Sequence, residues 1–162
     1  MGFLDRLFGK KTDAANPYPN DFTNKITGIM QRLGMRYEVK NEYHIHLLLG
    51  FDEEDGPERS QLAIVSATGD DGQFVTISSP VGKVASIGDK FDAEFMNELL
   101  ITNNTTIGFG YALETLGETE YLVTCSDQVL ATLDDSELQN AIVFCAGAAD
   151  DMEKQLGLGD EY

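Results

Sequence analysis

From residue 39 to residue 51 the chain alternates with a period of two. Val39, Tyr43, Ile45, Leu47, Leu49 and Phe51 fall on one face, and Lys40, Glu42, His44 and His46 on the other. Successive side chains of an extended backbone point to opposite sides, so this pattern is that of a strand with one face against a core. Two more runs follow directly. Residues 61–68 and 74–78 read as the second and third strands, and Gly69-Asp70-Asp71-Gly72 between them carries the Asp-Gly pair of an antiparallel hairpin. Residues 79–88 hold Pro80, Gly82 and Gly88 and read as an irregular connection, with a short extra strand at 83–87. Further on, Ile107, Phe109, Tyr111 and Leu113 alternate with Thr106, Gly108, Gly110 and Ala112, a fourth strand with an unusually small opposite face. After a turn at 116–120, residues 121–130 form the fifth.

Three stretches have helical spacing instead. Asn20 or Asp21 caps a helix with Phe22, Ile26, Ile29, Met30 and Leu33 on its apolar face, stopped by Gly34. A second runs from Asp89 or Asp92 to Ile101, with Phe95, Met96, Leu99 and Leu100 as its buried stripe and Asn103-Asn104 as the turn that leaves it. The third opens at Asp134 with Glu137 three residues on, the capping-box spacing. It continues through Leu138, Ala141, Ile142, Cys145, Ala148, Ala149, Met152 and Leu156 to Gly157. The order α-β-β-β-α-β-β-α groups strands in consecutive runs, which predicts an α+β fold with an antiparallel sheet covered by helices. Residues 1–20 read as a leader and proline linker, 21–157 as one domain, and 158–162 as an acidic tail.

Charge divides the chain unevenly. Residues 1–90 hold 10 basic and 13 acidic side chains, net −3, whereas residues 91–162 hold Lys154 against 15 acidic ones, net −14. Such a field repels phosphate backbones, which disfavours nucleic acid, and attracts a basic or amphipathic protein partner. Adaptation to a salty cytoplasm produces the same composition. Residues 1–11 have the opposite sign, net +2. Within them Phe3, Leu4, Leu7 and Phe8 make one helical stripe beside Arg6, Lys10 and Lys11, a segment suited to weak contact with a membrane surface or a partner's groove. No run reaches the ~18–20 apolar residues of a spanning helix, and a cytoplasmic location is expected.

Chemistry-bearing motifs are sparse. His44 and His46 share one strand face and are the chain's two histidines, so only carboxylates can complete a metal site; two solvated strand histidines are the simpler reading. The cluster Asp52-Glu53-Glu54-Asp55 lacks the ligand spacing of a calcium loop. Gly108-Phe109-Gly110 sits inside a predicted strand, which suits close approach of a neighbour rather than a phosphate cradle. Cys125 and Cys145 have neither zinc-ligand nor CxxC spacing and read as reduced core thiols. No catalytic residue and no cofactor are expected.

The stretch Phe95-Met96-x-x-Leu99-Leu100-x-x-Asn103, the strand pair after it, and Leu133-Asp134-x-x-Glu137-Leu138 opening a helix with Ala146, Ala148 and Ala149 resemble the type III secretion chaperone-like fold, most closely its YbjN-type proteins. That resemblance implies a homodimer that binds extended or amphipathic segments of client proteins, with the dimer formed by the second helix and the strand after it. On this basis Phe95, Leu99 and Leu100 are expected at the dimer or client surface, with Ile107, Phe109 and Tyr111 as the alternative set; each of the six also reads as ordinary core. A peripheral membrane regulator tethered by Phe3, Leu4, Leu7 and Phe8 is the competing function, and a metal-assisted hydrolase built on His44 and His46 the third.

Overall fold

The computed structural model describes residues 16–51 and 59–159. The first helix, α1 (Asp21–Leu33), starts at a reciprocal cap: Asn20 Oδ1 accepts from the Thr23 amide at 2.8 Å, and Thr23 Oγ1 accepts from the Asn20 amide at 3.0 Å. It ends at Gly34, whose φ of 72° lies in the left-handed region that glycine enters without steric cost.

The first predicted strand is divided in two. β1 (Glu38–Val39) and β2 (His44–Phe51) pair as a hairpin, because Asn41 Oδ1 accepts from the Tyr43 amide at 2.8 Å and the Lys40 amide donates to His44 O at 2.9 Å. This local bonding outcompetes continued extension. Tyr43, expected on the core face, is 54% exposed.

β3 (Arg59–Thr68) and β4 (Phe74–Lys83) form the anticipated hairpin, but β4 does not stop at Ser78. It runs on through Pro80, with a register shift between Pro80 and Gly82 against the neighbouring strand. A bulge accommodates the missing proline N–H, and the long ladder overrides the local breakers. Residues expected as an extra strand instead coil into a single helical turn, α2 (Val84–Ile87), followed by a 3-10 turn at Gly88–Lys90.

α3 (Ala93–Thr105) is capped by Asp92 Oδ1, which accepts from the Phe95 amide at 2.9 Å. β5 (Gly110–Leu116) and β6 (Thr119–Val129) form a hairpin, and α4 (Asp135–Leu156) opens at the Asp134–Glu137 capping box and closes at Gly157 as its sequence foretells. The six strands lie in the order β1-β2-β3-β4-β6-β5, every neighbouring pair antiparallel. The α+β fold with an antiparallel sheet is thus observed, with the first strand split and a short helix added.

Helices α1 and α4 bury one face of the sheet. Ile26, Met30, Ile45, Leu47, Val65, Ile77, Leu138 and Ile142 interlock there, none more than 2% exposed. Each such side chain contributes ~1.5–3 kcal/mol through removal of apolar surface from water. A smaller cluster, Val81, Ile87, Leu99, Leu122, Ala149, Met152 and Leu156, joins the far half of α4 to α3, with Phe91, Phe95, Tyr111 and Leu158 packed at its margin.

Candidate protein-binding surface

α3 is the least buried of the long helices. Leu99 is its one buried residue, at 8% exposed; Phe95 is half-buried, edge-on to Phe91 with ring centres 5.9 Å apart. Met96 is 43% and Leu100 66% exposed, so the four-residue buried stripe read from the sequence is corrected to one buried and one half-buried position. The helix lies over the edge of the sheet, against β5, and among the described residues nothing packs on its far side. Between them opens an apolar cleft of about 240 Å³, with Leu99, Tyr111 and Leu122 as its floor and Met96, Leu100 and Leu113 as its walls.

The strand begins three residues later than its alternation suggests. Ile107 is 91% exposed and precedes β5, and Gly108 turns the chain at φ 97°. A Cβ at position 108 would stand 2.9 Å from the Phe144 ring, so only glycine satisfies both the conformation and the contact. Phe109 is half-buried against the main core, with its ring 5.8 Å from that of Tyr111 and nearly perpendicular to it. Gly108 does mark a close approach, but that of a side chain at a turn.

Asn103, read above as a turn residue, is inside α3, and its side chain brackets one residue of the edge strand: Oδ1 accepts from the Tyr111 amide at 2.6 Å, and Nδ2 donates to Tyr111 O at 2.9 Å. It thereby takes the place a neighbouring strand would occupy. In an antiparallel ladder, outward-pointing groups recur every second residue. Leu113 and Thr115 therefore present their N–H and C=O to the open edge, with no partner among the described residues. No sequence pattern distinguishes this asparagine from a turn former, because its bond spans an angle between two elements.

The surroundings are acidic. Asp92, Glu120 and Asp151 are exposed around the cleft, while Glu114 alternates onto the opposite face of β5, near Cys125; the sole Lys or Arg after residue 90, Lys154, sits 2.8 Å from Asp150. The Tyr111 hydroxyl is held above its ordinary pKa, first by burial and then by the Asp151 charge.

The remaining candidates stand apart from this surface. His44 and His46 share the uncovered face of β2, as the alternation requires; His44 Nδ1 lies 3.0 Å from Asn41 Oδ1, and His46 is held below the usual imidazole range by burial, then by Lys40 and His44. Among the described residues no group of three or more His, Cys, Asp or Glu is placed to hold a metal ion. Cys145 is buried and Cys125 half-buried, both free, and burial pushes the Cys145 thiol up to about 12. Phe3, Leu4, Leu7, Phe8 and the acidic cluster at 52–55 lie outside the described residues. No helix among those described is long and apolar enough to cross a membrane.

One buried polar group escaped the sequence reading. Arg59 Nε donates to Asp150 Oδ1 at 2.6 Å and its Nη2 to Glu153 Oε2 at 2.8 Å, while Gln61 Nε2 donates to Glu153 Oε1 at 3.1 Å. Its signal was available: Asp150 and Glu153 interrupt the apolar face of α4 at helical spacing. At 3% and 1% exposed, they need a basic partner from across the sheet.

A scan against protein-family models finds no match for this chain, and no curated protein matches it. Among solved structures it is similar to a chain of the "Structure of the HopA1-SchA Chaperone-Effector Complex", with a TM-score of 0.55 at 7% sequence identity, over 83% of this chain and 94% of that one. At that identity the likeness is one of fold alone, carried by almost entirely different side chains.

Proposed function

We propose that this chain is a non-enzymatic protein-binding module, a chaperone-like or regulatory adaptor of the YbjN type. It acts as a homodimer in the cytoplasm and receives basic or amphipathic client segments on the surface formed by α3 and β5. The observation that carries this reading is the apolar cleft itself. Met96, Leu100 and Leu113 are left uncovered beside an edge strand whose Leu113 and Thr115 backbone groups are unpaired. Exposed apolar grooves and open strand edges are the two commonest seats for helical and extended peptide segments. The acidic rim supplies preference for basic clients and a faster encounter, while the apolar floor supplies most of the affinity. Similarity in fold to a chain of a chaperone–effector complex supports the same assignment.

Of the six residues expected at this surface, Leu100 is a wall of the cleft and Leu99 and Tyr111 line its floor; Phe95 and Phe109 brace it from behind. Ile107 is exposed ahead of β5 and does not line the cleft. Sedimentation of the full chain at micromolar concentration tests the homodimer: a dimer is expected, converted to monomer by Leu100→Glu, and a wild-type monomer overturns that part. Affinity purification from the source cell with wild type and Leu100→Glu side by side tests the client surface. Proteins retained equally by both variants would place client binding elsewhere.

A further inference from the structure

The cleft between α3 and β5 is small and open. Its 240 Å³ is below the ~300–1,000 Å³ of small-molecule pockets, and its lining is apolar apart from the Tyr111 hydroxyl and Asn103, whose amide is already bonded on both sides. It fits two or three large side chains projecting from a segment that lies across it. The chain carries one such segment of matching character. Phe3, Leu4, Leu7 and Phe8 share a helical stripe with Arg6, Lys10 and Lys11 beside it, net +2, and the cleft lies in the portion of the chain with net charge −14.

Geometry decides between reaching its own cleft and reaching another's. The chain enters the described structure at Asn16, pinned by its side chain to Thr23 and Asn24 at the start of α1, and the residues that follow, Pro17 to Asn20, lie beside Glu42 and Tyr43. From Tyr43 to Leu113 the path crosses from β2 to β5, four strand spacings or about 19 Å. It also runs six residues along the strands, about 20 Å, since Ala67 is level with Val75 and Gln128 while Leu113 is level with Leu122. The straight line, about 28 Å by those spacings, passes through α4, which covers the same face. Eight residues from Phe8 to Asn16 span at most ~28 Å fully extended, so a detour around a ~10 Å helix exceeds them.

We propose that the α3–β5 cleft receives the N-terminal segment of a second copy of this chain, with Phe3, Leu4, Leu7 and Phe8 against Leu99, Leu100 and Leu113 and the basic side chains facing the acidic rim. This rests on the assignment of the cleft as the protein-binding surface and names its resident occupant. In a twofold dimer each chain then fills its partner's cleft, and a client must displace a leader to enter. The closest competitor is a depression of about 610 Å³ beside Asn20, which offers the leader charge from Asp21, Glu42, Asp70 and Asp71 within the same chain, but with Phe22, Tyr43 and Leu130 interspersed among those carboxylates rather than joined in one apolar floor.

Mixing full-length chains grown with ordinary and heavy nitrogen, coupling amines to carboxylates with a zero-length carbodiimide, and sequencing the joined peptides separates these cases. Expected are mixed-isotope peptides linking Lys10 or Lys11 to Asp92, Glu120 or Asp151. Their yield should fall at least tenfold with Leu7→Ser/Phe8→Ser, which leaves every leader charge in place. Links confined to a single isotope, links to Asp21, Glu42, Asp70 or Asp71, or a yield indifferent to Leu7→Ser/Phe8→Ser each overturn the proposal. So does flotation of the chain on anionic phosphatidylserine vesicles with no mixed-isotope link. A dimer that Leu100→Glu dissociates but Leu7→Ser/Phe8→Ser leaves intact would refute the leader as occupant while leaving the binding surface standing.

Discussion

Two regions of this molecule put the same apolar residue types to opposite ends. Between α1, the strands β2 to β4 and the first half of α4, apolar side chains close on one another until most are fully buried. Around α3 and β5 the same residue types leave a cleft open, with Leu100, Ile101, Leu113 and Leu116 between 40% and 66% exposed. The difference lies in layering. The first region has a helix pair over its sheet; the second has one helix over the sheet's edge strand. That uncovered apolar surface, at a strongly acidic end of the chain, is what the proposed protein-binding role rests on.

The largest effects should come from the seam that holds the closed region to α4. Arg59→Met would leave Glu153 and Asp150 buried without their guanidinium, at a cost of about 3–5 kcal/mol in chemical denaturation. A loss under about 1 kcal/mol would mean that water reaches the pair and that the closed half is less sealed than its packing implies. Leu138→Ala, at a site with no exposure, should cost ~2–5 kcal/mol by the same measurement. Leu100→Ala should stay within about 0.5 kcal/mol in the single protomer, measured at dilutions where no dimer forms, because within one chain the side chain is two-thirds in solvent. Equal losses at Leu138 and Leu100 would abolish the distinction between the halves.

Asn103→Ala falls between these, at roughly 1–2 kcal/mol for two side-chain hydrogen bonds at a half-exposed site. Its sharper signature is local: hydrogen exchange at the Tyr111 amide should accelerate while that of Ile77 and Val65 stays unchanged. The smallest effects are those of pH. His46 has a folded-state pKa below its unfolded value, so its contribution is present above pH ~6.5 and is lost as pH falls through the folded value. His46→Gln should flatten that part of the stability profile, and an unaltered slope would assign it to another group. Cys145, pushed up to about 12, should resist alkylation at pH 9 in the folded chain and react once unfolded.

How much of this was legible beforehand follows the range of each interaction. The ends of α1 and α4 were readable because Asn20–Thr23, Asp134–Glu137, Gly34 and Gly157 act within a few residues of themselves. The split at Lys40–Tyr43 and the passage of β4 through Pro80 were not. The first turns on one asparagine side chain, and the second on a ladder with β6, some forty residues further along. The candidate surface was half legible. Its place on α3 and the following strand is what the resemblance implies, while the apolar stripe on α3 reads as buried at Met96 and Leu100, and Asn103 as a turn, neither of which holds.

Sequence by itself determined the class of fold, the periodicities of its elements, the helix caps and the uneven charge, since each depends on neighbours within a turn or a pleat. Only the tertiary structure decided which apolar stripe found a covering layer. A stripe records that a face is apolar; whether it becomes core or binding surface depends on what the rest of the chain lays over it, and over α3 and β5 the chain lays nothing that the described residues contain.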